Sequence, residues 1–140
     1  MSQELIEMLQ EAAAREISVS VQYMWHHIMA KGLASPEFRR IVKDISIVEM
    51  RHAEAIAERL DYLGEVPTTK PTPIDVGGGL LNMIDNDVSA ERDAIELYKR
   101  IVNQAEAERD IVTRTLFEGI LADEEDHESQ FSALLEDRAA

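Results

Sequence analysis

The sequence contains no cysteine among its 140 residues. Disulfide bonds, iron–sulfur clusters, cysteine-ligated rubredoxin-type iron sites and thiol catalysis are therefore excluded. Aromatic residues make up only 5% of the chain. No apolar stretch approaches the roughly 20 residues that a helix needs to cross a bilayer, and the first residues lack the basic start and apolar core of a signal peptide. We therefore expect a cytoplasmic protein.

Positive charge is also scarce, since 14 Lys and Arg stand against 28 Asp and Glu, a formal net charge of −14. A surface of this sign repels a phosphate backbone, so we do not expect nucleic-acid binding. The negative charge can serve solubility alone, or it can produce a field that attracts cations. The many Ala, Glu, Leu and Ile residues favour helices over strands.

Four stretches with apolar residues at helical spacing predict four helices. Ser35-Pro36-Glu37 is typical of a helix start, and Gly32 and Gly64 are typical of helix ends. Residues 64–78 hold three of the four prolines and predict a long irregular connection. The predicted helices are 3-31, 36-63, 79-105 and 109-136. We expect one all-α domain, residues 1-140, a four-helix bundle of two antiparallel helical hairpins joined by one long crossover.

Two quartets, Glu49-Met50-Arg51-His52 and Glu124-Glu125-Asp126-His127, each place a carboxylate and an imidazole on one helix face, because residues three apart are neighbours there. A further glutamate precedes each quartet, and Glu16 stands as far before Glu49 as Glu91 stands before Glu124. We interpret the pattern as a duplicated helical hairpin. A single constant shift in residue number, which we call the repeat offset, relates Glu16 with Glu91, Glu49 with Glu124, His52 with His127 and Tyr23 with Tyr98.

The four glutamates and two histidines lie among apolar residues on the inward stripes of their helices. Burying four carboxylates close together is costly unless their charge is neutralised. Two divalent metal ions would neutralise it, with histidine nitrogens completing each site. The alternative is a buried network of carboxylates bonded to Tyr and His without metal. By symmetry Glu49 and Glu124 would bridge the metals, with Glu16 and His52 on one and Glu91 and His127 on the other.

The two repeated tyrosines, Tyr23 and Tyr98, have two interpretations. Each can donate a hydrogen bond to a metal-binding glutamate, or each can be a core ring with a satisfied hydroxyl. We favour the glutamate contact for Tyr23 over Tyr98. On the same helix as Tyr23, His27 is expected to bond within the core, and His26 is expected to face solvent or a partner subunit.

The pattern Glu16…Tyr23, Glu49-Met50-Arg51-His52-Ala53, Glu91 and Asp123-Glu124-Glu125-Asp126-His127 resembles the ferritin-like superfamily, and bacterioferritin in particular. The resemblance implies a ferritin-like bundle with a di-iron ferroxidase centre, which oxidises Fe(II) to Fe(III) with oxygen or peroxide for iron storage or detoxification. The same six residues would be both the iron ligands and the catalytic residues. Bacterioferritins carry a short fifth helix after the bundle, which these 140 residues do not include.

Two other functions remain open beside the ferroxidase. One is a dimanganese or mixed-metal enzyme of the oxidase or catalase-like kind. The other is a non-catalytic iron-binding helical module.

The two halves differ on their outer faces. A second apolar stripe on the first helix has polar counterparts on the third, which predicts a homodimer, alone or within a higher assembly, through helices 1 and 2. Met50 occupies the position at which a bacterioferritin methionine contributes to haem binding between subunits, so the resemblance also implies haem as a cofactor; interface packing is the alternative. The stripe is Ile17, Val21, Met24 and Ile28, against Arg92, Glu96, Lys99 and Asn103.

Overall fold

The computed structural model describes residues 1–139, and the side chains of residues 1–136. These residues form four helices, which confirms the predicted all-α bundle. Within this part of the chain, no helix combines the length and the apolarity that a bilayer crossing needs. The helices are α1 (Gln3–Met29), α2 (Ser35–Tyr62), α3 (Leu80–Ala107) and α4 (Ile111–Ala139).

The turn between α3 and α4 uses no glycine, which is why the sequence marks it so weakly. Arg109 adopts the left-handed conformation, with φ 59°, and the Asp110 N–H closes the turn by donating to the Ala105 carbonyl at 2.8 Å. Asp110 then caps α4, because its carboxylate accepts from the Thr113 N–H at 3.1 Å. The third helix therefore extends to Ala107, slightly beyond the predicted end at residue 105.

The crossover between α2 and α3 lies along α1 and is held by polar side chains of that helix. Gln10 accepts a hydrogen bond from the Thr68 N–H at 2.8 Å, and Gln22 accepts one from the Asp75 N–H at 3.0 Å. Ser18 donates to the Pro73 carbonyl at 3.1 Å. These contacts satisfy backbone groups of a segment that forms no secondary structure of its own.

Two hydrophobic clusters fill the bundle, one at each end. The first contains Leu5, Leu60 and Phe117, which join the start of α1 to the end of α2 and the start of α4. The second contains Phe38 and Phe131 at the opposite end. The start of one helix in each hairpin therefore lies beside the end of the other, so the two helices are antiparallel. The layer between the clusters is polar, and it holds the predicted ligands.

Candidate metal centre

The six predicted ligands meet in the polar layer between the two hydrophobic clusters. All four glutamates have 0% exposed surface, and His52 and His127 are 6% and 4% exposed. They form two overlapping groups, in each of which one ligand atom per residue lies within 4.8 Å of the others. We call them the first group (Glu16, Glu49, His52 and Glu124) and the second group (Glu49, Glu91, Glu124 and His127).

Glu49 and Glu124 belong to both groups. These two glutamates are also counterparts at the repeat offset, as are the two histidines. Within each helix, the i, i+3 spacing puts the histidine beside the glutamate that precedes it. His52 Nδ1 lies 3.1 Å from Glu49 Oε1, and His127 Nδ1 lies 3.0 Å from Glu124 Oε1. The structure thus brings these side chains together, and their role as metal ligands stays a prediction.

A residue that the sequence analysis did not single out lies in the middle of this cluster. The Arg15 guanidinium donates from Nη1 to Glu16 at 2.5 Å and Glu49 at 2.7 Å, and also to Glu124. Its Nη2 donates to the Ala90 carbonyl at 3.1 Å and lies 3.4 Å from Glu91. One feature of the sequence could have identified Arg15. At the repeat offset its counterpart is Ala90, so a positively charged residue directly before a predicted glutamate ligand occurs in only one half.

Several buried oxygen and nitrogen atoms of the second group make no hydrogen bond with the described residues. They are Glu49 Oε1, Glu91 Oε2, Glu124 Oε1 and His127 Nδ1, one from each member of that group. His127 Nδ1 lies 3.0 Å from Glu124 Oε1 and 3.4 Å from Glu49 Oε1, at ion-pair distance but without a hydrogen bond, and buried polar atoms are seldom left so. Three glutamates and one histidine, each with a ligand atom within 4.8 Å of the others, are a set of residues that fits a divalent cation such as Fe(II), Mn(II) or Zn(II).

Burial raises the pKa of Glu16, Glu91 and Glu124, and neighbouring carboxylates raise it further. Burial has the opposite effect on the histidines, although their pKa values rise as well. Burial alone would lower the pKa of His52, but Glu16 and Glu49 outweigh it and raise the pKa to about 11. In the same way Glu124, Glu49 and Glu91 raise the pKa of His127 to about 12. The cluster therefore favours positive charge, here the protons of the two histidines and the Arg15 guanidinium.

His52 is held by carboxylates on both its inner and its outer side. His52 Nε2 donates to Asp123 at 2.7 Å, while its Nδ1 donates to Glu16 at 2.8 Å. This pair of contacts fixes the ring so that Nδ1 points inward. Both histidines line a surface pocket that also contains Asp44, Asp123 and Asp126. This pocket, which Arg40 and Arg51 also line, is a route from solvent to the two histidines.

The two repeated tyrosines are both fully buried but make different contacts. The Tyr23 hydroxyl donates to Glu91 Oε1 at 2.7 Å, as favoured from the sequence. The Tyr98 hydroxyl has no hydrogen-bond partner among the described residues. Its ring lies 6.0 Å from the Arg15 guanidinium carbon. Tyr98 is therefore a core ring beside the arginine.

The prediction that His26 faces solvent or a partner is wrong. His26 is 0% exposed, and its Nδ1 lies 2.8 Å from Asp87, which also accepts from Gln22 at 2.9 Å. The expectation that His27 bonds within the core is wrong as well, because this side chain is only partly buried and its Nδ1 lies 2.8 Å from the Arg39 carbonyl in an exposed position. The sequence did not reveal the pairing of His26 with Asp87, because a single histidine on an amphipathic helix gives no signal for a carboxylate on a distant helix.

Apolar side chains remain exposed on the outer face of the first hairpin. Met50 is 57% exposed, Ile28 52%, Trp25 47% and Ile47 36%. Met50 points away from the six predicted ligands although it directly follows Glu49 in the sequence. An exposed group of this kind on α1 and α2 is typical of a protein–protein interface.

Comparisons with known proteins give matches over nearly the whole chain. The family model described as the ferritin-like domain matches residues 6–139. The curated bacterioferritin of Desulfovibrio desulfuricans is 37% identical over 124 residues, which are 88% of this chain and 69% of that protein. The bacterioferritin of Rhodobacter capsulatus is 30% identical over 124 residues, 88% of this chain and 77% of that protein.

Solved structures give the same result. The bacterioferritin of Mycobacterium tuberculosis superposes with a TM-score of 0.90 at 26% identity, covering 97% of this chain and 86% of that one. The D. desulfuricans bacterioferritin superposes with a TM-score of 0.87 at 33% identity, covering 94% of this chain and 77% of that one. That structure is described as showing the diiron site in different catalytic states.

Proposed function

This chain belongs to the ferritin-like family, with bacterioferritins as its similar relatives, and on that premise we propose that it is a ferroxidase. Its residues 1-140 would act as one domain that oxidises Fe(II) to Fe(III) with oxygen or peroxide, in iron storage or detoxification. The observation that supports this function is the pair of overlapping groups of three glutamates and one histidine.

The proposed roles follow from the two groups. Glu49 and Glu124 belong to both groups, so they would bridge two iron ions, while the other four residues would each bind one. A bound pair of Fe(II) ions supplies the two electrons that, with two protons, reduce oxygen to hydrogen peroxide or reduce peroxide to water. The histidines must release their Nδ1 protons to become ligands, so iron binding is expected to weaken as the pH falls.

The surrounding residues would position this centre. Tyr23 holds one oxygen of Glu91 at 2.7 Å and so limits the orientations of that carboxylate. Asp123 holds His52 from the outer side.

A second candidate keeps the metals but changes their identity. Carboxylate oxygens suit Mn(II) as well as Fe(II), and four of the six predicted ligands are carboxylates. A dimanganese or mixed-metal enzyme would then be expected, and a non-catalytic iron-binding module is the third candidate. Metal analysis of protein made without added iron separates the first two, and turnover with oxygen separates both from the third.

The central experiment adds Fe(II) anaerobically to chelator-treated protein, admits oxygen, and follows oxygen consumption and Fe(III) absorbance. Glu49→Gln removes one negative bridging oxygen, so we expect the initial oxidation rate to fall by about a hundredfold or more, since even residues that merely support a ligand change activity by about 10–100-fold. Glu125→Gln is the matched control: it lies beside Glu124 but is exposed, and its rate should equal that of the wild type. Wild-type rates in a helical Glu49→Gln variant would refute the ferroxidase.

The exposed face of the first hairpin supports a further part of the proposal. Two subunits would associate through α1 and α2 about a two-fold axis, alone or within a larger assembly. Met50, which is 57% exposed on this face, would then lie near the interface, where its thioether could bind haem iron. Solution mass and the absorbance of added haem test these two statements.

A further inference from the structure

Arg15 contacts the two groups of ligands unequally. Its Nη1 donates to the Oε2 atoms of Glu16, Glu49 and Glu124, which are all three carboxylates of the first group. Glu49 and Glu124 also belong to the second group, but their Oε1 atoms make no hydrogen bond with Arg15. The contact of Nη2 with the second group is Glu91 Oε2 at 3.4 Å. One nitrogen of Arg15 therefore lies where a cation of the first group would bind.

We propose that Arg15 is a built-in competitor for the first metal position, so that the second group binds its metal ion first and the first group binds only when the guanidinium is displaced. This inference rests on the proposed metal centre. A guanidinium and a divalent ion cannot both bind the same three oxygens, because hydrogen-bond donors and a metal ion need the same lone pairs and carry the same sign of charge.

The structure provides a place for the displaced side chain. Arg15 borders a surface groove that also contains Glu11, Asp93 and Glu96, on the opposite side from the pocket beside His52. Glu11 is four residues before Arg15 on α1 and therefore on the same helix face. Rotation of the Arg15 side chain toward this groove, which Arg100 also lines, would exchange buried carboxylates for exposed ones.

The competition is specific to the first half of the repeat. The counterpart of Arg15 at the repeat offset is Ala90, which directly precedes Glu91. Ala90 has no side chain that could reach the carboxylates, and its carbonyl instead accepts from Arg15 Nη2 at 3.1 Å. A duplicated sequence thus gives two metal positions with equivalent ligands but different occupants.

Titration calorimetry with Co(II) alone, on chelator-treated protein, tests the proposal. The wild type should bind two ions in two steps, a tighter one and a weaker one. Arg15→Gln should tighten the weaker step by about tenfold or more, within the roughly 5–150-fold range of ordinary coupling between sites, and should change the tighter step much less. The chelator-treated variant should also melt at a lower temperature than the wild type, because four buried carboxylates lose their counter-charge.

Two further variants control this experiment. Arg92→Gln removes the same charge beside a predicted ligand, but Arg92 is exposed and pairs with Glu128, so both binding steps should be unchanged. Arg15→Lys keeps the charge, but an ammonium cannot span the carboxylates and the Ala90 carbonyl together. Arg15→Lys should therefore tighten the weaker Co(II) binding step by a smaller factor than Arg15→Gln. If Arg15→Gln does not fold, the titration of Arg15→Lys tests the proposal in its place.

The outcomes distinguish this inference from the proposed centre. Equal Co(II) affinities in the wild type, Arg15→Gln and Arg15→Lys would overturn the competition and leave the metal centre intact. Absence of Co(II) binding in all of them would overturn both. Weaker binding in Arg15→Gln would make the arginine a support for the metals and would also overturn the competition.

Discussion

The two hairpins share one set of predicted ligands and differ in what surrounds it. Around α1 and α2, an arginine lies among the carboxylates and apolar side chains remain exposed outside. Around α3 and α4, alanine takes the equivalent inner position and polar or charged residues cover the equivalent outer face. The difference teaches that the two halves keep the predicted ligands at equivalent positions while the residues around those ligands diverge.

Inside the bundle the two hairpins differ in charge, and on the outside they differ in the apolar surface that a second subunit could contact. Arg15 supplies positive charge from the first half only, where it meets carboxylates of all four helices. Outside, Ile28 on α1 is 52% exposed, and its counterpart on α3 is Asn103. Three pairs of substitutions at equivalent or comparable positions of the two hairpins test how far these differences extend.

The largest effect is expected at the outer face. Ile28→Glu places a charge in the proposed interface twice, once per subunit, and burying an unpaired charge there should cost about 2–5 kcal/mol of association free energy. Asn103→Glu adds the same charge at the equivalent exposed position and should leave association unchanged. Light scattering after size exclusion measures the mass, and added haem should bind the wild type but not Ile28→Glu. Equal masses for all three proteins would contradict the interface.

An intermediate effect is expected at the repeated tyrosines. Tyr23→Phe removes the hydroxyl that Glu91 accepts from, so the unfolding free energy of chelator-treated protein should fall by about 1.5–3 kcal/mol, as for a hydrogen bond to a charged group. Tyr98→Phe removes a buried hydroxyl without a partner among the described residues and should be neutral or slightly stabilising. Denaturant unfolding measures both. Equal losses in the two variants would mean that the hydroxyls do not differ in role.

The smallest effect is expected at the hairpin turns. The first turn has Gly32 at φ 106°, whereas the second has Arg109 at φ 59°. Arg109→Gly relieves the left-handed strain of a non-glycine residue but increases the entropy of the unfolded chain, so a net gain of about 0.5 kcal/mol is expected. Gly32→Ala should instead cost about 1 kcal/mol. Thermal melting compares them, and a loss of stability in Arg109→Gly would show that its side chain has another role.

Part of the fold and the centre could be predicted because the responsible signals are local or repeated. Helical periodicity identified the four helices, and the i, i+3 spacing together with the repeat offset identified six side chains that meet between the two hydrophobic clusters. The turn at Arg109 was weakly marked because a non-glycine residue in the left-handed conformation has no distinct sequence signal.

The sequence by itself determined the bundle and the set of candidate ligands, since periodicity and spacing fix which faces turn inward. Only the tertiary structure decided which charges meet. Arg15 looked like an ordinary charged residue on a helix, and His26 looked exposed, because their carboxylate partners lie on other helices. Long-range pairs of this kind depend on how helices pack, and a chain shows them only once its four helices enclose a common interior.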